Sequence, residues 1–282
     1  MGRYKRLLVA VDGSEPSLHA LEQAFGLTDQ QIIVASVVPP YTGDLRFVGV
    51  KNIGALLRAP CDQALAATRE IAKARQVSIK IVCDAGEPHE KLVEIAQAED
   101  CDLIVLGVRG WDEIEHLLMG SVAARVIGYS PKDVLVVPHR AAAGWGKMLL
   151  ATNGSPHNRA AALKAADLAR AYASELYILY VIDLPPGFYA YVPAGEDMAQ
   201  AEARDSVAKA KKAADAAGLD ARTFIREGEA FHEISRFARE QKITTIIMGS
   251  HGRTGLTRLL MGSTTERVIG FAPCPVLVVK GD

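Results

Sequence analysis

Two glycine-rich segments of the sequence have the spacing of a phosphate-binding turn. Each contains two glycines separated by two residues, then nine residues, then a third glycine followed by a hydroxyl side chain. Glycines let backbone N–H groups approach an anion closely, and a helix N-terminus offers unpaired N–H groups to the same anion. In the second half of the chain the segment provides Gly249, Gly252, Gly262, Ser263, Thr264 and Thr265. In the first half the matching residues are Gly107, Gly110, Gly120 and Ser121.

The glycine segments belong to a longer internal repeat. Residues 7–14 and 102–121 return as residues 148–155 and 244–263 at almost the same separation, with Asn153 in place of Asp12. A repeated block of this length indicates one unit that has been duplicated. Small residues around Ala143 separate the two units. The repeat therefore predicts two domains, residues 1–143 and 144–282.

Within each unit, short β-branched runs alternate with longer helical patterns, which is typical of β-α-β crossovers and a parallel sheet. Strands are predicted near residues 6–12, 32–38, 77–83, 102–107 and 133–138, and near residues 147–152, 175–182, 221–226, 244–249 and 275–280. Ser14 and Ser155 stand where helix N-caps would be. Ligands of such sheets bind beyond the carboxyl ends of the strands, so the glycine segment of each unit should share a crevice with Asp12 or Asn153.

These features resemble the universal stress protein family, in the tandem form with two such domains in one chain. The resemblance covers nearly all of the 282 residues and is carried by the glycine segments, by the strand that ends in Asp12-Gly13-Ser14, and by the terminal strand after Cys274. It implies two doubly wound α/β domains, each with a five-stranded parallel sheet in the order 3-2-1-4-5 flanked by helices. It also implies ATP as the ligand, with or without Mg²⁺, and a regulatory role in stress adaptation.

The resemblance implies where an adenine nucleotide would lie. The glycine segment would hold the ribose and phosphates, while the ends of the first and second strands would approach the adenine. Together with the residues themselves, the resemblance gives as candidate nucleotide-binding residues of the second half Asn153, Gly154, Val181, Gly228, Gly249, His251, Gly252, Arg253, Gly262, Ser263, Thr264 and Thr265. A second site in the first half would use Asp12, Val37, Gly86, Gly107, Arg109, Gly110, Gly120 and Ser121.

The two halves differ in the charge of the loop between the second and third glycines. The second-half loop carries Arg253 and Arg258 and has no acidic residue, which favours an anion. The first-half loop carries Asp112, Glu113 and Glu115, so a triphosphate bound there would face nearby carboxylates. The sequence therefore favours the second half as the nucleotide site. The first half is either a second site or a degenerate unit kept for packing.

Composition and missing motifs exclude several functions. With 32 basic against 33 acidic residues, the formal net charge of −1 removes the broad attraction that nucleic-acid binders use. The phosphate-binding pattern G-x-x-x-x-G-K-[ST], the dinucleotide pattern and the G-x-S-x-G nucleophile pattern are missing, so no catalytic residue or metal site is assigned and ATP hydrolysis would be slow at most. The longest N-terminal apolar run is too short for a leader or a membrane span, which predicts a cytoplasmic protein without a membrane partner.

The four cysteines are Cys61, Cys83, Cys101 and Cys274. They form no C-x-x-C pair and do not cluster with histidines in the sequence. In a cytoplasmic protein this distribution is typical of reduced thiols.

A second hypothesis is a nucleotide-independent dimerisation or interaction module. Residues 134–137 and 276–279 form apolar strands that would end each unit at a sheet edge, and such edges promote association unless they are covered. In a tandem chain the two strands could pair with each other as an internal pseudo-dimer. Association into a homodimer through other surfaces stays open.

Overall fold

The computed structural model describes residues 3–28, 30–40, 53–108, 120–155, 158–184, 195–250 and 261–281. The elements of the first half are β1 (Arg6–Ala10), α1 (Glu15–Ala24), β2 (Gln31–Val38), α2 (Ile53–Ala74), β3 (Ile79–Ala85), α3 (Pro88–Ala98), β4 (Leu103–Val108), α4 (Ser121–Tyr129) and β5 (Asp133–Pro138). Those of the second half are β6 (Lys147–Thr152), α5 (Asn158–Tyr172), β7 (Glu175–Ile182), α6 (Gly195–Ala216), β8 (Arg222–Glu227), α7 (Ala230–Gln241), β9 (Thr245–Gly249), α8 (Ser263–Phe271) and β10 (Val276–Val279).

The strands form one ten-stranded sheet in the order β3-β2-β1-β4-β5-β10-β9-β6-β7-β8. Within each half the strands are parallel and follow the order 3-2-1-4-5, which confirms the predicted doubly wound fold. At the centre β5 pairs with β10 in antiparallel register, with Leu135 opposite Leu277. The predicted pairing of the two terminal strands within one chain is therefore confirmed. Because the junction is antiparallel, the carboxyl ends of the two sets of strands point to opposite edges of the sheet.

Alternate residues of the strands pack into two cores, one on each face of the sheet. Leu7 and Val9 of β1 join the core beneath α1, α2, α5 and α6, whereas Leu8 joins the core beneath α3, α4, α7 and α8. Strands buried on both faces are apolar throughout, which explains the continuous β-branched runs in the sequence. Each core runs from one half into the other, so the halves share their packing.

A buried carboxylate also ties the two halves together. Asp133, at the start of β5, is 6% exposed and accepts a 2.7 Å hydrogen bond from the hydroxyl of Tyr4. From the second half, Lys164 Nζ lies 2.8 Å from the same carboxylate, and the backbone N–H of Lys280 donates to it at 3.0 Å. Burial, together with the nearby charge of Asp133, raises the pKa of Tyr4 well above its usual value.

The prediction of four reduced thiols is wrong for one pair of cysteines. Cys61 on α2 and Cys83 on β3 form a disulfide, with their Cα atoms 6.6 Å apart. The sequence spacing could not reveal this pair, because packing of α2 against the sheet decides which helical side chain meets β3. Cys101 and Cys274 are free, as predicted. Both are buried, and burial raises the pKa of each thiol to about 12.

Candidate functional site

A cavity of about 320 Å³ opens at the carboxyl ends of the second-half strands. It spans β9, β6 and β7 and so lies at the point where the strand order reverses, which is where open α/β sheets bind ligands. The predicted residues that line the cavity are Asn153, Val181, Gly249, Gly262, Ser263, Thr264 and Thr265. Gly154 and Gly228 lie outside its lining. His251, Gly252 and Arg253 lie outside the described residues.

The turn after β6 places Asn153 at the cavity. Its side-chain Oδ1 accepts the backbone N–H of Ser155 at 3.0 Å and the Nδ2 of Asn158 at 2.7 Å. Asn158 is buried at the start of α5 and also lines the cavity, and its Oδ1 accepts the backbone N–H of Gly249 at 3.2 Å. Asn158 therefore links the ends of β6 and β9. Its role was not predicted from the sequence, although an amide side chain three residues after the Asn153-Gly154-Ser155 turn was the available signal.

Gly154 has a structural role beside the cavity. Its φ is +71°, and a Cβ at this position would lie 2.0 Å from Ser206 Oγ on α6. Only glycine combines this backbone conformation with so close an approach. The turn can therefore pack directly beneath α6, which contributes Ala199 and Glu202 to the cavity wall.

One end of the cavity is formed by the start of α8. Gly262 occupies the N-cap position, and Ser263 and Thr264 form the exposed first turn. The first N–H groups of a helix have no intrahelical partners and carry a positive partial charge. Thr265 differs from the prediction of a phosphate donor, because it is buried and its hydroxyl donates to the carbonyl of Gly249 at 3.1 Å. It holds the start of α8 against β9.

The opposite end of the cavity is apolar and acidic. Leu179 of β7 supplies an apolar wall, and Asp183 and Glu202 contribute carboxyl groups on the β7 side. Ile234 of α7 and Met248 of β9 add apolar surface to the other walls. The Oδ2 of Asp183 accepts the backbone N–H of Ala230 at 3.0 Å, which fixes the carboxylate at the start of α7. Strand β6 separates this side from β9 and α8, so a negatively charged group is favoured at α8 and disfavoured near Asp183.

The first half repeats the turn with different side chains. Asp12 Oδ1 accepts the backbone N–H of Ser14 at 2.9 Å and the Ser14 hydroxyl at 2.6 Å. Burial acts to raise the pKa of Asp12, but the bonds from Ser14 outweigh it and the pKa is lowered. Ser14 stands at the predicted N-cap of α1, yet its hydroxyl does not cap the helix. The matching Ser155 offers its backbone carbonyl to the N–H of Asn158 at 2.9 Å, and its own buried hydroxyl has no hydrogen-bond partner in the described part of the chain.

Other predicted first-half residues lie at the ends of their strands and helices. Gly107 is in β4, where a Cβ would lie 2.2 Å from the carbonyl oxygen of Pro16, so the start of α1 covers this strand end. Gly120 and Ser121 open α4 as predicted. Val37 is in β2, and the N–H of Gly86 donates to the carbonyl of Val38 at 3.0 Å. Arg109 and Gly110 lie outside the described residues.

Membrane spans and metal clusters are features of the helices and of the polar side chains. Across the described ranges, no helix has both the length and the apolarity needed to cross a membrane. Among the same residues, no group of three histidine, cysteine, aspartate or glutamate side chains is arranged to hold a metal ion.

Comparisons with known proteins agree with this architecture. A model of the universal stress protein family matches residues 3–138 and again residues 144–280. A universal stress protein of Methanocaldococcus jannaschii is 38% identical over 140 residues, which cover 48% of this chain and 81% of that protein. Another from Bacillus subtilis is 30% identical over 150 residues, covering 48% of this chain and 99% of the relative.

A solved structure shares the whole architecture. The crystal structure of a universal stress protein from Archaeoglobus fulgidus covers 98% of both chains with a TM-score of 0.70 and 24% sequence identity, a similarity that establishes the fold. The family model matches both repeats and nearly the whole chain. The chain therefore belongs to the universal stress protein family, whose members are stress-response proteins, and it has the tandem form of that family.

Proposed function

We propose that the chain is a regulatory stress-response protein that binds an adenine nucleotide, ATP, in the second-half cavity. The observation that carries the proposal is the convergence of Asn153, Val181, Gly249 and the start of α8 on one cavity at the reversal point of the sheet. The family resemblance implies an adenine nucleotide for these positions. A cavity of about 320 Å³ is also within the range of small-molecule sites.

The polarity of the cavity supports one orientation of the nucleotide. The phosphates would lie at α8, where the backbone N–H groups and the hydroxyls of Ser263 and Thr264 are donors. The base would lie toward β7, against apolar side chains and beside Asn153. The carboxylate of Asp183 on that side would repel a phosphate, so the reverse orientation is disfavoured. If Mg²⁺ accompanies ATP, its ligands would come mainly from the phosphates.

The two domains would be residues 1–143 and 144–282, and the protein would act in the cytoplasm without nucleic-acid or membrane partners. The first-half crevice would be a weaker second site or none. Hydrolysis of ATP would be slow at most, since the proposal assigns no catalytic residue. Association of two chains into a homodimer would use surfaces other than β5 and β10, which already pair with each other.

A nucleotide-independent interaction module is the second candidate. The observation that favours it is the ten-stranded sheet, which joins both halves through β5 and β10 and through cores that continue across the junction. This assembly needs no ligand in order to be complete. On this hypothesis the second-half cavity would stay empty when nucleotide is supplied.

The experiment is to denature freshly purified protein, quantify the released adenine nucleotide per chain by chromatography, and titrate the emptied protein with ATP by calorimetry. About one nucleotide per chain is expected. Gly262→Glu places a carboxylate at the start of α8 and should abolish binding, whereas the matched first-half variant Gly120→Glu should retain it. Two nucleotides per chain would show that the first half also binds. No release and no binding on titration would favour the interaction module.

A further inference from the structure

Helix α2 packs beside the Asp12 turn, at the carboxyl ends of the first-half strands. Ala64 on α2 lies against the Asp12 turn, because a Cβ at Gly13 would be 3.4 Å from the Cβ of Ala64. In the second half, Ser206 of α6 stands at the matching position against Gly154, and α6 forms part of the cavity wall. By this correspondence, α2 would form the wall of a crevice at the first-half strand ends.

The disulfide of the first half joins this wall to the edge of the sheet. Cys61 lies one helical turn before Ala64 and is 2% exposed, whereas Cys83 is partly exposed on β3, the last strand of the sheet on that side. The matching residues of the second half are Ala203 and Ile225, which belong to one apolar cluster. The helix-to-strand contact is thus common to both halves, but only the first half has a covalent bond across it in the described residues.

We propose that Cys61 and Cys83 form a reversible oxidation site that fixes α2 over the first-half crevice in the disulfide state and releases it in the dithiol state. The proposal is independent of nucleotide binding. The proposal rests on the cytoplasmic location proposed above, because disulfides in reducing compartments are mostly transient and redox-sensing. Such a role suits a pair that bridges a helix and an edge strand.

Reduction would use a dithiol reductant of the thioredoxin class. Its thiolate attacks Cys83 Sγ, the more accessible sulfur, and Cys61 leaves and takes up a proton. The second thiol of the reductant then attacks the mixed disulfide and releases Cys83. Two electrons and two protons pass from the reductant to the protein. The carbonyl oxygen of Ser36 lies 3.6 Å from Cys61 Sγ, so the buried thiol that forms has an acceptor.

Oxidation would use a peroxide. The Cys83 thiolate attacks one peroxide oxygen, which breaks the O–O bond and gives a sulfenic acid and, after protonation, one water. The sulfur of Cys61 then displaces the hydroxyl of the sulfenic acid, and the proton of its thiol completes a second water. Hydrogen peroxide and two thiols are thus converted to one disulfide and two waters.

The other two cysteines provide an internal control for selectivity. Cys101 and Cys274 are buried and free, and burial raises the pKa of each thiol to about 12. The thiolate is the reactive form, so these residues should resist the same oxidant.

The experiment treats the full, ligand-free chain with hydrogen peroxide or with excess dithiol reductant, then maps free thiols by differential alkylation and mass spectrometry. Hydrogen exchange of residues 53–74 is measured in both states. Cys61 and Cys83 should both be alkylated after reduction and both be protected from alkylation after peroxide treatment. The amides of α2 should exchange roughly tenfold faster, or more, after reduction. The amides of α6 should exchange at one rate in both states.

Two variants complete the test. Cys83→Ser should give the fast α2 exchange under both conditions, while Cys101→Ser should keep the wild-type response. The wild-type comparison carries the test by itself if Cys83→Ser does not fold. Thiols that persist after peroxide, a disulfide that persists in excess reductant, or equal α2 exchange in the two states would each overturn the proposal.

Discussion

The side chain of Asn158 holds the side chain of Asn153 through a 2.7 Å hydrogen bond from Nδ2 to Oδ1. The orientation of both amides follows from their backbone partners. Ser155 and Gly249 present N–H donors, so the atoms facing them must be the carbonyl oxygens of Asn153 and Asn158. In the first half Ser17 takes this place, and its hydroxyl oxygen accepts the backbone N–H of Asp12 at 3.3 Å.

Replacement of Asn158 should therefore weaken nucleotide binding. Asn158→Ala removes one bond to Asn153 and leaves the buried N–H of Gly249 without its acceptor, so the Kd for ATP should rise roughly tenfold, equivalent to about 1.4 kcal/mol. Calorimetric titration measures the change. Ser17→Ala in the first half is the matched control and should leave the Kd within about twofold. An unchanged Kd in folded Asn158→Ala would contradict the assigned role.

Two glycines of the first-half segment should differ sharply in their tolerance of alanine. A Cβ at Gly107 would lie 2.2 Å from the carbonyl oxygen of Pro16, whereas a Cβ at Gly120 would meet nothing within 4 Å. Gly107→Ala should lower the free energy of unfolding by about 3 kcal/mol, because the start of α1 must shift away from β4. Gly120→Ala should change it by less than about 0.5 kcal/mol. Urea unfolding measures both free energies. Equal stability of the two variants would contradict the close packing of α1 against β4.

Loss of the buried carboxylate should loosen the junction between the halves. Asp133→Ala leaves the ammonium of Lys164 and the hydroxyl of Tyr4 without their partner, and we expect a loss of about 3–5 kcal/mol in the free energy of unfolding. Asp205→Ala is the control, because that exposed pair with Lys209 should contribute less than about 1 kcal/mol. Similar denaturant midpoints for the two variants would argue against a role of Asp133 in joining the halves.

The hydrogen bonds to Asp12 predict a contribution to acid stability. The pKa of Asp12 is lowered in the folded chain, so its carboxylate stabilises the fold above the unfolded pKa of about 3.9. That contribution is lost as the pH falls from about 4 through the lower folded pKa. Asp12→Asn should therefore lose less stability than the wild type between pH 5 and pH 2, as measured by urea unfolding at each pH. Parallel curves for the two proteins would contradict the prediction.

Most of the fold could be predicted because each strand is an apolar run bounded by a change of pattern. The remaining differences have local causes. The first strand ends at Ala10 rather than at Asp12, since the Asp12 side chain bonds Ser14 and turns the chain away from the sheet. The third strand starts at Ile79 rather than at residue 77, because Gln76, two residues after the end of α2, has the left-handed conformation at φ +56° and redirects the chain.

The candidate site was less predictable than the fold. Asn153 could be predicted as a lining residue because it directly follows β6, and Gly262 and Ser263 because they open the helix at the end of the glycine segment. The role of Asn158 and the disulfide depend on which side chains face each other after the helices pack, and the sequence pattern does not contain that information. Thr265 was also predicted as a phosphate donor, but its hydroxyl donates to the carbonyl of Gly249 within the protein.

The antiparallel junction of β5 and β10 has a consequence for how the assembly responds to dilution. Two separate chains joined through the same strands would dissociate at low concentration by mass action. Here β5 and β10 belong to one polypeptide, and this covalent link makes their pairing independent of concentration. The link also removes the requirement that both partners be identical. The Asp133 carboxylate contacts the ammonium of Lys164 and the backbone N–H of Lys280, whereas the matching residue of the second half is Pro275. A symmetric dimer of one gene product has the same residue at both matching positions, so it could not combine Asp133 with Pro275.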